Sequence, residues 1–268
     1  MSTQTTPINI EQVKELRDAT GISVMQCKRA LEEAGGDMKK ALAILKKTSS
    51  DIALKKADRS LNSGSVMIKN ENLSAQAGNK AVLIGLLCET DFVAKNKDFT
   101  NLLETLLNKA SKDGIEKMKA EAKELIDPII QKTGENIQLG DVYEVSEEVL
   151  GTYVHNNKSG VIVSLEGGNT ELAKDIAMHI TAMKPEYIRE DEINEDTRKT
   201  MKEVFEKEVA SVDKPAEIKE KMLLGKMTTY FKEKTLMNQA FIKNPEETVG
   251  KLLEKARAKI KEVKVYSI

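Results

Sequence analysis

The sequence has few of the residues that define several classes of protein. Only two cysteines are present, Cys27 and Cys88, and their wide separation gives neither a disulfide framework nor the paired spacing of a zinc site. Residues 1–7 contain no basic residue and no apolar core, and the longest apolar run, 81–88, is too short to span a bilayer. We therefore expect a protein of the reducing cytoplasm that is neither exported nor inserted into a membrane.

Neither sign of charge is in excess. The 42 lysines and arginines are balanced by 43 aspartates and glutamates, which leaves a formal net charge of -1. Such a chain has no overall positive field to hold a polyphosphate without sequence preference, so we expect no direct contact with nucleic acid. The length suits about two domains. Because only 15 glycines and 5 prolines interrupt regular structure, we expect a helix-rich globular protein.

The motifs of catalysis are missing as well. The sequence contains no phosphate-binding P-loop, no dinucleotide-binding glycine motif, no nucleophile elbow and no zinc-binding helix. Two histidines, His155 and His179, are a small supply of general bases. We therefore predict that the protein is not an enzyme and needs neither a cofactor nor a metal.

Three short segments with helical spacing of apolar residues follow a polar tail. Glycines separate them, and Ser23 and Asp37 are placed to cap the second and third. Residues 1–48 are therefore predicted to form an amino-terminal three-helix module. Residues 49–63 contain few apolar side chains and are predicted to be a linker.

The rest of the chain mixes strand and helix patterns and predicts an α+β core. Strands are predicted at 65–68, 81–88, 142–145, 149–155, 161–165 and 263–268, and helices at 92–107, 115–132, 170–183 and 246–260. Strand, strand, helix occurs twice, which predicts two repeats within residues 64–193 and 237–268. Two charged helical segments within 194–236 predict an antiparallel helical hairpin, or coiled coil, inserted into this core.

The segment Thr90-Asp91-Phe92-Val93 lies where a buried strand ends and a helix begins. Thr90 or Asp91 can cap the free amides of that helix, and Phe92 can join the apolar stripe of Phe99 in the core. Alternatively, a first-turn aromatic beside an acidic residue can project outward and anchor an interface. The residues alone leave both interpretations open.

The two histidines differ in their setting. His179 lies within an apolar helical stretch, which favours a buried helix histidine. His155 closes a strand just before the turn Asn156-Asn157-Lys158, where it either contacts a partner or is solvated.

Several segments together resemble one known family. The motif Thr90-Asp91-Phe92-Val93-Ala94-Lys95-Asn96 resembles the signature of the elongation factor Ts family. Further segments similar to that family are residues 13–17, 20–21, 27–31 and 36–37 in the module, and 134–137, 155, 158, 160–161, 178–180, 185–187 and 239–242 in the core. The resemblance covers about residues 13–250, nearly the whole chain.

The resemblance implies a guanine-nucleotide exchange factor without chemistry of its own. Its partner would be elongation factor Tu, bound in the GDP and nucleotide-free forms, and a homodimer is left open. In the family, the segment matching Thr90, Asp91, Phe92 and Val93 disturbs the partner's magnesium and phosphate site by wedging the aromatic ring between helices.

The family also implies two further contacts with elongation factor Tu. The amino-terminal module, similar to a ubiquitin-associated fold, would grip the nucleotide domain through Arg17, Val24 and Met25. The core would contact the partner through His155, Ile242 and Lys243.

This sequence departs from the family pattern at several places. The family often has methionine at Val24, a glycine-rich turn with arginine at residues 156–158, and proline at Ala240. Longer members add a helical carboxy-terminal module, whose contact with the partner we expect to be missing here.

Without the resemblance, two other classes compete. A ribosome- or RNA-associated protein could use the lysine-rich hairpin and the basic residues of 55–59, and its affinity would then fall steeply with salt. An enzyme would show turnover without any GTPase present. Release of labelled GDP from elongation factor Tu separates all three classes.

Overall fold

The amino-terminal helices begin where their capping residues predict. In a computed structural model, which describes residues 9–72 and 78–268, helices α1 (Ile10–Thr20), α2 (Val24–Glu33) and α3 (Met38–Lys56) pack around a small apolar cluster. Ser23 caps α2 by accepting the Gln26 N–H, and Asp37 caps α3. Residues 1–8, in the expected polar tail, and residues 73–77, between the strands predicted at 65–68 and 81–88, lie outside the described residues.

The predicted linker is wrong in its first half, because α3 continues through Lys56. Ser49 and Ala53 follow Leu45 at four-residue spacing and are buried against helix α6 (Ile115–Thr133). On that face Ser50 donates a hydrogen bond to Asp127 Oδ2 at 2.6 Å. Serines that look like linker residues by composition are therefore helical, since α6 supplies them with polar partners.

The first half of the core is an antiparallel sheet covered by helices. Strands β1 (Ser63–Asn72), β2 (Asn79–Cys88) and β3 (Ile137–Glu147) pair in the order β1-β2-β3. Helices α4 (Asp91–Ala94), α5 (Lys97–Asp113) and α6 lie between β2 and β3 in the chain. Ile84 and Leu86 of β2 pack with α5 and α6, while Leu83 faces a second cluster, so β2 is buried on both faces as predicted.

The second half repeats this order of elements. Strands β4 (Val149–His155), β5 (Ser159–Glu166) and β8 (Lys259–Ser267) pair antiparallel in the order β4-β5-β8. Helix α7 (Thr170–Met183) follows β5 and packs with it around Ile176. In each half, two paired strands and a helix precede a third strand that pairs with the second.

A helical hairpin is inserted between α7 and β8. Helices α8 (Glu195–Ala210) and α9 (Ala216–Lys234) run antiparallel, since Phe205 packs edge to face with Tyr230 and Lys226 forms an ion pair with Glu208 at 2.8 Å. Among the described residues, no helix is both long and apolar enough to cross a bilayer.

The predicted helix at 246–260 is wrong at both ends. A small hairpin of β6 (Ala240–Phe241) and β7 (Asn244–Thr248) comes first, and the helix α10 covers only Val249–Lys255. Thr248 caps α10 by accepting the Lys251 N–H, so the helix cannot start earlier.

Candidate functional site

Phe92 projects from the protein into solvent. It lies in the first turn of α4, and 82% of its surface is exposed, whereas the next residues, Val93 and Ala94, are buried. The interpretation of Phe92 as a core anchor is therefore wrong. The reason is local: α4 ends at Ala94, and Asn96 accepts the Asp98 N–H to start α5 in a new phase.

The amino terminus of α4 is held by a carboxylate from another part of the chain. Thr90 caps the helix by accepting the Val93 N–H, and its hydroxyl donates to Glu135 Oε1 at 2.6 Å. The Thr90 N–H donates to the other oxygen, Oε2, at 3.0 Å. Glu135 lies just after Gly134, whose left-handed backbone (φ 77°) ends α6 and turns the chain towards α4.

A second carboxylate, that of Glu89, connects the same two chain segments in the opposite direction. Glu89 accepts the Asn136 N–H at 2.6 Å, and the Asn136 side chain donates to the carbonyls of Ala57 and Arg59. The Arg59 guanidinium lies 3.4 Å from Glu89 Oε1. These contacts join the end of β2 to the start of β3 and to the chain after α3, behind Phe92.

Asp91 is exposed beside Phe92 and carries a negative charge. Its carboxylate accepts a hydrogen bond from Lys95 Nζ at 2.7 Å. This bond and the positive charges of Lys95 and Lys158 hold the pKa of Asp91 below its usual range. The tip of α4 therefore presents an aromatic ring next to an ionised carboxylate.

The turn after β4 lies close to α4. His155 is exposed at the strand end, where its ring contacts the Tyr153 hydroxyl and the Asn156 amide, each at 3.2 Å. Lys158 Nζ donates to Gly64 O at 2.8 Å at the start of β1. The next residue of β1, Ser65, donates to Ala94 O in α4. The structure therefore brings the predicted residues His155 and Phe92 to the same end of β1.

Ile242 and Lys243 occupy a different place, in the loop between β6 and β7. Ile242 is 43% exposed, and its N–H donates to the Nδ1 atom of His179 on α7 at 3.2 Å. Lys243 Nζ bonds to Asp175 Oδ1, also on α7, at 2.6 Å. These two predicted residues therefore lie against α7 rather than against α4.

The predicted contact residues of the module are all on its surface. Arg17 is exposed near the end of α1, and Val24 and Met25 are exposed in the first turn of α2. Between the two helices, Gly21 packs against the Lys132 side chain near the end of α6. Both the α1–α2 loop and α4 therefore adjoin the carboxyl end of α6.

Sequence reasoning missed the carboxylates behind α4. Nothing in the spacing of residues 134–137 indicates that Glu135 accepts the Thr90 N–H or that Glu89 accepts the Asn136 N–H. The signal available was a glycine-ended helix followed at once by an acidic residue.

The site offers binding groups rather than reactive ones. Burial raises the pKa of the Cys88 thiol to about 11, which keeps this cysteine protonated at neutral pH. Within residues 9–72 and 78–268, no three His, Cys, Asp or Glu side chains are grouped as metal ligands. An exposed aromatic ring, a carboxylate and a strand-end histidine are suited to recognising the surface of another protein.

Comparisons with known proteins agree with one another. The family model described as elongation factor TS matches residues 89–268. Elongation factor Ts of Hahella chejuensis is 38% identical over 266 residues, which is 97% of this chain and 92% of the relative. The factor of Pseudomonas savastanoi pv. phaseolicola is 40% identical over 255 residues, 92% of this chain and 86% of the relative. That of Thioalkalivibrio sulfidiphilus is 39% identical over 273 residues, 97% and 92% respectively. The chain therefore belongs to the elongation factor Ts family.

Proposed function

We propose that this protein is a guanine-nucleotide exchange factor that binds elongation factor Tu and promotes the release of GDP during translation elongation. Family membership supports the coarse part of this proposal. The finer part is that the Asp91-Phe92 tip disturbs the magnesium and phosphate site of the GDP-bound partner. The factor then holds the nucleotide-free form and performs no chemistry of its own.

The observation that carries the proposal is the exposure of Phe92. A phenylalanine that is 82% exposed adds almost nothing to folding, yet large aromatic side chains are among the residues that contribute most at protein interfaces. Its ring stands beside the ionised Asp91, so an apolar wedge and a negative charge would enter the partner together. Both would act against a site that holds a cation and an anionic phosphate group.

Exchange by such a tip is a case of coupled binding. If the factor weakens GDP on the partner, GDP must weaken the factor by the same ratio, and each tenfold change corresponds to about 1.4 kcal/mol. The wedge therefore has to make contacts in the nucleotide-free complex that the GDP-bound complex lacks.

Other exposed residues complete the proposed interface. Arg17, Val24 and Met25 would bind the nucleotide domain of the partner, with the module acting as a ubiquitin-associated-like fold. His155 would contribute next to α4, while Ile242 and Lys243 would form a separate contact beside α7.

We propose that the rest of the surface binds neither nucleic acid nor membrane. We propose a cytoplasmic factor that contacts neither nucleic acid nor membrane directly, in keeping with its net charge of -1 and its two buried free cysteines. The α8–α9 hairpin would be a coiled coil outside the nucleotide-releasing contact, and self-association into a homodimer is compatible with the same surfaces.

Phe92→Ala tests the wedge directly. Because the ring is exposed, the free energy of unfolding should change by no more than about 0.5 kcal/mol, whereas loss of a buried phenylalanine would cost about 3–5 kcal/mol. The stimulated release of labelled GDP from elongation factor Tu should fall at least about tenfold. Leu224→Ala is the control, since Leu224 is also a highly exposed apolar residue, but on α9. Unchanged GDP release by Phe92→Ala, or an equal loss in the control, would refute the wedge.

A further inference from the structure

Two glutamates form a reciprocal pair of contacts behind α4. The Glu135 carboxylate accepts the backbone N–H of Thr90, and the Glu89 carboxylate accepts the backbone N–H of Asn136. Residues 89–90 and 135–136 thus bind each other where the β2–β3 ladder ends, at the pair Cys88 and Ile137. Beyond that pair, the side chains of Glu89 and Glu135 connect the two segments in place of the backbone hydrogen bonds of the ladder.

Helix α4 depends on contacts of this kind because it is too short to be stable alone. It has only four residues, and a helix of one turn does not repay the entropy of forming it. Its buried residues, Val93 and Ala94, fix one side of the turn. Its amino terminus is fixed by Thr90, and the Thr90 hydroxyl has its proton directed at Glu135.

A carboxylate is well suited to this position. It offers two acceptor oxygens, and Glu135 uses one for the Thr90 N–H and the other for the hydroxyl. Hydrogen bonds to an ionised acceptor are about twice as strong as neutral ones. With its proton so engaged, the Thr90 oxygen presents a lone pair to the Val93 N–H and caps the turn that carries Phe92.

We propose that Glu135 is a positioning residue for the exchange reaction, which holds Phe92 in the orientation that enters the partner and does not contact the partner itself. Glu89 supports it through Asn136. This inference rests on the proposed exchange function for its consequence, but its structural half can be tested on the free protein.

The first measurement is hydrogen exchange in the free protein carrying Glu135→Gln. Glutamine keeps the size of the side chain but replaces one acceptor oxygen by an NH2 donor, so the Thr90 N–H and hydroxyl can no longer each donate to an oxygen of their own. The hydrogen-bonded amides in residues 90–94, which are those of Thr90, Val93 and Ala94, should exchange about tenfold faster. Glu192→Gln is the matched control, since Glu192 accepts the Ile188 N–H at 2.8 Å elsewhere. Unchanged exchange at 90–94 would overturn the proposal.

The second measurement is a double-mutant cycle with Phe92→Ala, read as the maximal rate of stimulated GDP release. If Glu135 acts through Phe92, Glu135→Gln should slow release about tenfold in the parent and have no further effect in Phe92→Ala. Additive losses would show a general structural role and would also overturn the proposal.

The two measurements separate this inference from the function on which it rests. If Phe92→Ala releases GDP at the parental rate while Glu135→Gln frees the amides of 90–94, the wedge is wrong and the holding role of Glu135 stands. If Glu135→Gln does not fold, Glu135→Asp, which keeps the charge but shortens the side chain by one methylene, takes its place in both measurements.

Discussion

His179 is fully buried on α7, and its two ring nitrogens have different partners. The Ile242 N–H donates to Nδ1, so the ring proton is on Nε2, which donates to Gln239 Oε1 at 2.9 Å. The Gln239 amide in turn donates to Glu233 O at 2.6 Å. A neutral imidazole thus fixes the loop that presents Ile242 and Lys243 at the proposed interface.

This arrangement predicts that acid destabilises the protein through His179. Burial lowers the pKa of His179 below its ordinary value of 6.5, so the neutral ring is favoured in the folded state. The stability that the neutral ring contributes is complete above the pKa that His179 has in the unfolded chain. It is lost as the pH falls towards the lower pKa of His179 in the folded protein. The free energy of unfolding, measured in urea between about pH 7 and pH 5, should therefore decrease.

Variants of the two histidines identify the source of that decrease. His179→Asn keeps an acceptor for the Ile242 N–H but leaves Gln239 Oε1 without its donor, so it should cost about 1–3 kcal/mol at neutral pH. It should also flatten the pH dependence. The same measurement on His155→Gln, at the exposed end of β4, is the control. An equally steep slope in His179→Asn would show that other groups cause it.

Part of the site could be predicted residue by residue, and part could not. The capping role of Thr90 follows from its place between a buried strand and a helix. The direction of Phe92 does not, because it depends on whether the helix breaks at Asn96 or runs on to Phe99. The contact of Glu135 with Thr90 joins residues far apart in the chain, and no local pattern records it.

At the scale of elements, α3 shows how composition can mislead. Its second half is rich in serine and lysine, yet it is helical because α6 buries Ser49 and Ala53 and accepts the Ser50 hydroxyl. The helix starts and ends near caps were predictable because they depend on neighbours in the chain. The bounds of the linker and of the last helix were not predictable, because contacts with α6 and the pairing of β6 with β7 determine them.

Because α3 crosses from the module onto α6, a cut within α3 should separate binding from folding. The buried cluster of the module lies entirely between Val13 and Leu45, while the α5–α6 cluster starts at Ile52. A chain without residues 1–48 should therefore melt cooperatively as a folded core. Among the described residues that are removed, 9–48, only Lys46 forms an ion pair with α6, and its exposed pair with Glu124 is worth about 0–1 kcal/mol.

The same truncated chain should bind elongation factor Tu more weakly, because Arg17, Val24 and Met25 are removed. Affinity measured by calorimetry, with circular dichroism to verify folding, checks this. A chain that lacks residues 1–8 alone is the control, and it should bind with the affinity of the full-length protein. Parental affinity in the longer truncation would exclude the docking role of the module.

At the scale of the whole molecule, the two halves of the core are joined face to face by their sheets. Val66 and Leu83 of the first sheet pack with Leu150 and Ile162 of the second. Tyr266 of β8 reaches across, and burial raises the pKa of its hydroxyl. The proposed contacts at α4 and at the Ile242–Lys243 loop belong to different halves, so this joint sets the distance between them.

Two glycines, Gly85 and Gly140, leave room for the Tyr266 side chain. A Cβ added at Gly85 on β2 would overlap the tyrosine ring, and one added at Gly140 on β3 would overlap its hydroxyl. Neither glycine has the left-handed backbone that would by itself require glycine. Space for Tyr266 is therefore the physical reason for glycine at both positions.

Gly85→Ala should consequently destabilise the protein by about 1–3 kcal/mol, because the ring must move and the two sheets must separate slightly. Urea unfolding gives the value. Gly225→Ala is the matched control: a Cβ at this exposed position of α9 meets nothing within 4 Å, so alanine should stabilise the helix by about 0.5–1 kcal/mol. In a Tyr266→Ala background, Gly85→Ala should cost much less, since the ring that it would strike is gone. A full cost in that background would mean that Gly85 is needed for the bulge in the β2–β3 ladder between Ile84 and Leu86, rather than for the joint between the sheets.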